Sequence, residues 1–179
     1  EKDNWQFGSG AGFYLDATKE PYYKNYNMYS YIKDELPELI GNNFDFDMSR
    51  QSIFGHSMGG HGALIIALRN PKNYKSCSAF APIVEPSTAS WSSEAFKKYI
   101  GPNKKDWEKY DSVALIRDGF YFPEILVDQG EADSFLDEGL RPWLLEEICR
   151  KSKINLKLRM QSGYDHSYFF ISTFMSDHL

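Results

Sequence analysis

Gly55-His56-Ser57-Met58-Gly59 sets a serine between two glycines, each two positions away, a spacing that serves attack by a hydroxyl on a carbonyl carbon. That chemistry needs a strand that ends abruptly and a helix that begins at once, so that the hydroxyl stands on a strained turn at the top of a sheet. The flanks fit this demand. Arg50-Gln-Ser-Ile-Phe54 reads as a short strand, and Gly62-Ala-Leu-Ile-Ile-Ala-Leu-Arg69 reads as a buried helix that stops before Asn70-Pro71. The competing reading is a Gly-rich strand-to-helix turn whose serine only caps the helix.

A serine hydroxyl is a poor nucleophile near neutral pH and needs a general base within hydrogen-bond reach. Of the four histidines, His56 sits inside the turn and is expected to point away from Ser57, His61 lies on the following helix, and His178 is near the chain's last helix. His166, in Gly163-Tyr-Asp-His-Ser167, is in a loop after a strand, where a base belongs. The base needs a carboxylate on its other nitrogen. In Asp128-Gln-Gly-Glu-Ala-Asp-Ser-Phe135, Asp128 ends a strand and Asp133 lies beyond the turn, so Asp133 is chosen over Asp128; Asp137 is expected to cap the next helix. The backbone N–H of Met58 supplies one oxyanion donor. No strand-plus-loop unit is evident upstream for the second. The order Ser57, Asp133, His166 is the one used by α/β-hydrolases.

The elements that must carry these groups alternate. A helix over 26–40, kinked or restarted at Pro37, precedes the serine turn. Further strands are expected at 76–81, 124–128 and 155–160, with helices at 140–151 and 168–175. The segment 82–120 shows no strand and reads as a helical excursion off the core. Its aromatics Trp91, Phe96 and Trp107 are expected to wall the substrate pocket, with Trp91 the candidate contact. Strands alternating with helices imply a mostly parallel sheet with helices on both faces, reactive groups collecting beyond the C-terminal strand ends.

At 179 residues, 42% hydrophobic and 25% charged, the chain fits one globular domain over 1–179. A net charge of −5 with scattered basic residues excludes a nucleic-acid surface. No apolar run approaches the ~18 residues that span a bilayer. Cys77 and Cys149 lack metal-ligand spacing, so no metal site is expected, and two free thiols point to a reducing, cytoplasmic setting.

Longer motifs carry a resemblance. Gly55-His-Ser-Met-Gly-Gly-His-Gly-Ala-Leu64, Asp128-Gln-Gly-x-x-Asp-x-Phe-Leu136 and Gly163-Tyr-Asp-His-Ser-Tyr-Phe-Phe-Ile171 resemble the S-formylglutathione hydrolase, or esterase D, family. So do Phe7-Gly-x-Gly-Ala-Gly-Phe-Tyr-x-Asp-Ala-Thr18 and Ser78-Ala-Phe-Ala-Pro-Ile83. The resemblance implies the α/β-hydrolase fold, Ser57 as nucleophile, Asp133 as orienting acid, His166 as base, no cofactor, and S-formylglutathione as the small-molecule substrate. Members of that family begin with further strands, so this chain reads as the C-terminal portion of the fold, lacking its N-terminal strands. The strand before Ser57 is then expected to expose an edge, making the chain alone poorly soluble, feebly active or a homodimer. A general carboxylesterase of the same fold is the first alternative; an inactive truncated product or non-catalytic binding module is the second.

Overall fold

The computed structural model describes residues 7–8 and 12–179, with Trp91 described by its backbone only. Residues 9–11 of the opening loop lie outside the described residues. The first helical run is α1 (Met28–Ser30), a π turn (Tyr31–Glu35) and α2 (Leu36–Asn43). Pro37 stands in the first turn of α2, where its missing N–H costs least, so it opens the second half of the run.

The strand leading to the serine is β1 (Ile53–His56), and α3 (Met58–Arg69) follows at once. The expected strand over 50–54 starts later because Asp47 closes a turn: its side chain accepts from the Ser49 N–H (3.0 Å) and hydroxyl (2.6 Å). The strand therefore runs right up to Ser57. β2 (Cys77–Phe80) is buried along its whole length. Next come α4 (Ser90–Tyr99) and α5 (Ser112–Arg117), the latter capped by Asp111, whose carboxylate accepts from the Ala114 N–H at 2.9 Å. β3 (Glu124–Gly130), α6 (Pro142–Ser152), β4 (Asn155–Gln161) and α7 (Tyr168–Phe174) complete the chain. α6 begins later than expected because a π turn (Leu136–Leu140) and a left-handed Arg141 (φ 48°) intervene.

All four strands run parallel in the order β1-β2-β3-β4. This is the mixed helix-and-parallel-sheet architecture expected from the alternation. Cys77, Ala79, Ile125 and Val127 share one face, over which α3, α5 and α6 pack. Ser78, Phe80, Leu126 and Asp128 share the other, covered by α7 and the turn after it: Phe80 meets Phe170 edge-on at 5.7 Å and stacks on His178 at 3.8 Å. β1 pairs with β2 alone among the described residues, and its Phe54 is 42% exposed. No described helix is long and apolar enough to cross a membrane.

The segment 82–120 is helical and strandless, but its inner face belongs to the core. Phe96, Tyr99, Trp107 and Tyr110 are buried, and Phe96 meets Phe13 edge-on at 5.2 Å. Hydrogen bonds from the Thr18 and Lys19 N–H groups to the Tyr99 carbonyl tie the opening loop to α4. The expectation that Phe96 and Trp107 wall a pocket therefore gives way: both fill the interior, because an apolar ring buried among apolar neighbours gains more than one left at a wet rim.

His61 is also wholly interior, its Nε2 paired with the Tyr110 carbonyl at 2.7 Å. Burial pushes its pKa down to about 4, the Tyr110 hydrogen bond opposing only in part. The unfolded chain binds a proton at this histidine below about pH 6.5 while the folded chain does not until about pH 4, so stability is full above pH 6.5 and falls as pH drops through that window. The span corresponds to about 3 kcal/mol. Urea midpoints measured at pH 7.5 and pH 5 are expected to differ clearly in the native sequence and by less in His61→Gln; an equal pH dependence in both contradicts this.

Candidate active site

The turn at Ser57 is built by steric exclusion. Ser57 takes φ 57°, ψ −115°, a conformation L residues rarely adopt, between the end of β1 and the first residue of α3. Three backbone hydrogen bonds hold it: its N–H donates to the Phe80 carbonyl (2.9 Å), and its own carbonyl accepts from His61 (2.9 Å) and Ile83 (3.4 Å). A Cβ on Gly55 would lie 2.3 Å from the Gly59 carbonyl group, and one on Gly60 would press on Pro82 at 3.0 Å. Gly59 is different: a Cβ there meets only the Tyr14 hydroxyl at 3.7 Å. Ser57 occupies the N-cap position of α3, yet its hydroxyl makes no capping hydrogen bond. The capping reading fails on that observation, and the hydroxyl is left for chemistry. Met58, opening α3, has an N–H with no intrahelical acceptor, as the first turn of any helix requires, and the helix dipole favours negative charge there.

Asp133 and His166 come together across two loops. The Nδ1–H of His166 donates to Asp133 Oδ2 at 2.6 Å, while Asp133 Oδ1 accepts from the Phe135 N–H (2.9 Å) and Oδ2 from the Gln129 amide (3.2 Å). Burial pushes the Asp133 carboxyl up, but the hydrogen bonds from His166 and Phe135 outweigh it and hold the group below the usual carboxylate range. With Nδ1 committed to Asp133, Nε2 is the nitrogen free to take a proton. The two loops approach because Gly130 lacks a side chain: a Cβ there would sit 2.3 Å from the Tyr164 carbonyl oxygen. The Ala132 N–H uses that closeness to donate to the same carbonyl at 2.9 Å.

Asp128 belongs to another network. It lies inside β3 rather than at its end, since the strand runs on to Gly130. Its carboxylate accepts from Arg159 Nε (2.8 Å), Gln161 (2.7 Å) and His178 Nε2 (2.8 Å). Burial opposes ionisation, but these donors, His178 first, hold its pKa at about 2. This network fastens the chain's last turn to the sheet. Asp137 lies exposed in the turn over 136–140 and caps no helix.

His56 makes a contact the sequence reading did not foresee: its ring lies 4.3 Å from that of His166, tilted by 43°. Phe135 meets the same imidazole edge-on at 5.1 Å. Sequence reasoning missed both contacts; the signal was their position, His56 one residue before Ser57 and Phe135 two residues after Asp133. Among the described residues Ser57 Oγ and His166 form no hydrogen bond, although the His56–His166 contact brings their loops together. Ser57 and Met58 line a cleft of about 510 Å³ with Tyr14, Ile32, Phe54 and Tyr168. Trp91 stands in the first turn of α4, and its side chain lies outside the described residues. Cys77 and Cys149 are free and buried, burial pushing both thiols up to about 12, so neither offers a thiolate. No group of metal-ligating side chains occurs among the described residues.

These contacts separate the two aspartates by experiment. Asp133→Asn is expected to keep the fold and cost roughly 10⁴ in hydrolytic rate, because the imidazole is then held in the wrong tautomer. Asp128→Asn is expected to act through stability, lowering the melting temperature, because it weakens the pairing of a buried carboxylate with Arg159, Gln161 and His178. Rates and melting curves of the two variants decide, and the reverse pattern would move the acid to Asp128. At the turn, Gly55→Ala is expected to abolish soluble, active protein while Gly59→Ala is tolerated, read by yield and turnover; equal damage would contradict the steric account.

The esterase family model, described as "Putative esterase", matches residues 1–179. The mouse S-formylglutathione hydrolase is 52% identical over the whole chain, which spans 64% of the mouse protein's length. An S-formylglutathione hydrolase structure from Agrobacterium tumefaciens superposes with a TM-score of 0.98 at 63% identity, covering 99% of this chain and 64% of that one. The fluorophosphonate-binding serine hydrolase FphF of Staphylococcus aureus shares the fold alone, with a TM-score of 0.73 at 17% identity, over 92% of this chain and 64% of that one. The resemblance read from the motifs thus extends over the whole chain, and with the family model matching from end to end, the chain belongs to the esterase family, on an α/β-hydrolase fold.

Proposed function

We propose that the chain is the triad-bearing portion of one α/β-hydrolase domain and hydrolyses the thioester S-formylglutathione to glutathione and formate. The observation that carries the hydrolase reading is a serine at φ 57° whose hydroxyl caps nothing, next to a His166–Asp133 pair at 2.6 Å. The relatives named for S-formylglutathione support the substrate. In this reading Ser57 Oγ attacks the thioester carbonyl carbon while His166 Nε2 takes the hydroxyl proton. Asp133 stabilises the imidazolium, and the Met58 N–H receives the oxyanion. Collapse breaks the C–S bond, and His166 returns the proton to the departing glutathione sulfur. Water, deprotonated by the same nitrogen, then attacks the formyl ester on Ser57, and formate leaves as the serine regains its proton.

The outer edge of β1 runs beside the cleft at Ser57, and we infer that a further strand pairs there and carries the second oxyanion donor. A glutathione thioester and two buried free thiols fit a reducing compartment such as the cytoplasm. The alternative of a broad carboxylesterase differs in the acyl pocket, since a formyl group needs almost no room. In the protein carrying this chain, kcat/KM for S-formylglutathione is expected to exceed that for a long-chain aryl ester by at least about 10²-fold. Equal or reversed values would favour the carboxylesterase, and no turnover of either would favour a binding module.

A further inference from the structure

The catalytic reading leaves His56 without a task, although it occupies a costly position. It closes β1, one residue from Ser57, and its Nε2 is buried with no hydrogen-bond partner among the described residues. A buried orphan nitrogen costs free energy, so its ring contact with His166 calls for an account. Among the described residues the His166 imidazole meets Asp133 at Nδ1, Phe135 at 5.1 Å and His56 at 4.3 Å. The hydrogen bond alone leaves the ring free to swing about the Nδ1–Oδ2 line. Two ring contacts remove that freedom.

We propose that His56 is a positioning residue for the base, its ring packed against the His166 imidazole so that Nε2 stays directed at the serine turn. This rests on the reading of Ser57, His166 and Asp133 as the reacting groups. The charge state of His56 matters as well. The titratable groups that act on it are His166 and Asp133. Burial, aided by the nearby His166, pushes its pKa down to about 4, with Asp133 opposing. At working pH His56 is therefore uncharged, and it adds no positive charge beside the imidazolium that forms in each half-reaction. A neutral packing ring serves where a second cation would disfavour that intermediate.

Three substitutions separate packing from charge. His56→Phe keeps a flat ring and no charge, and is expected to retain kcat within about 3-fold with the acid limb of the pH–rate profile unmoved. His56→Ala frees the imidazole and is expected to lower kcat by about 10–100-fold, with KM within about 3-fold and the melting temperature little changed. His56→Lys places a cation against the base, disfavours its protonated form and is expected to move the acid limb to lower pH by about one unit. The NMR titration of the His166 ring protons in the resting protein is expected to move by the same amount in the Lys variant. That readout does not depend on turnover, so it tests the contact even if the assignment of the reacting groups fails, a failure that an undiminished rate in Ser57→Ala would show separately. The proposal is overturned if the His56→Ala rate equals that of the native protein, if His56→Phe is as damaging as His56→Ala, or if the Lys variant leaves the His166 titration unmoved.

Discussion

Everything at the site depends on one close approach, that of β1 to the first turn of α3. Where a strand must become a helix within a single residue, that residue is forced to φ 57°, and the Gly59 carbonyl group of α3 comes within 2.3 Å of where a side chain on Gly55 would stand. Such a conformation persists only when its surroundings over-determine it. Here they do: the Phe80 carbonyl from the adjacent strand, and the His61 and Ile83 N–H groups, all hold Ser57 in place. The sheet thus supplies the strain, and the buried helix α3, apolar around almost its whole circumference, anchors the other side.

Asp133 and His166 meet each other by the same logic, with another missing Cβ. Gly130 ends β3 and lets its loop lie against the loop after β4, so a carboxylate and an imidazole from separate strands meet within hydrogen-bond distance. Parallel strands make this economical. All four point the same way, so their C-terminal loops gather at one end, and small changes of loop length move a functional side chain without disturbing the core. The other polar network, Asp128 with Arg159, Gln161 and His178, fastens α7 over the opposite face, and α7 begins two residues after His166. Stability and the geometry of His166 are therefore linked through one helix.

Much of this was legible in the sequence because it rests on local rules. The glycine spacing around Ser57, the alternation of apolar strands with amphipathic helices and the position of His166 after the fourth strand all follow from short-range patterns. Choosing Asp133 over Asp128 rested on judging where β3 ends; the structure carries the strand two residues further, to Gly130, and pairs Asp133 with His166. What was not legible needed contacts between distant parts of the chain. The contact of His56 with His166 depends on where the loop after β4 lies, which no pattern around residue 56 encodes. Phe96 and Trp107 looked like pocket walls by composition, yet Phe13 of the opening loop packs on Phe96, Phe96 meets Trp107, and both are core. The start of β1 moved because a single Asp47 turn outcompeted strand propensity.

The central claim is that Ser57 becomes covalently acylated with His166 as its base. Mass spectrometry of the protein after exposure to a fluorophosphonate measures this most directly, because the reagent phosphonylates a serine only when its hydroxyl is activated. The account predicts a single adduct on the peptide containing Ser57, with labelling slowed strongly in His166→Ala and absent in Ser57→Ala. An adduct on another serine, or labelling of Ser57 at an unchanged rate without His166, would contradict it.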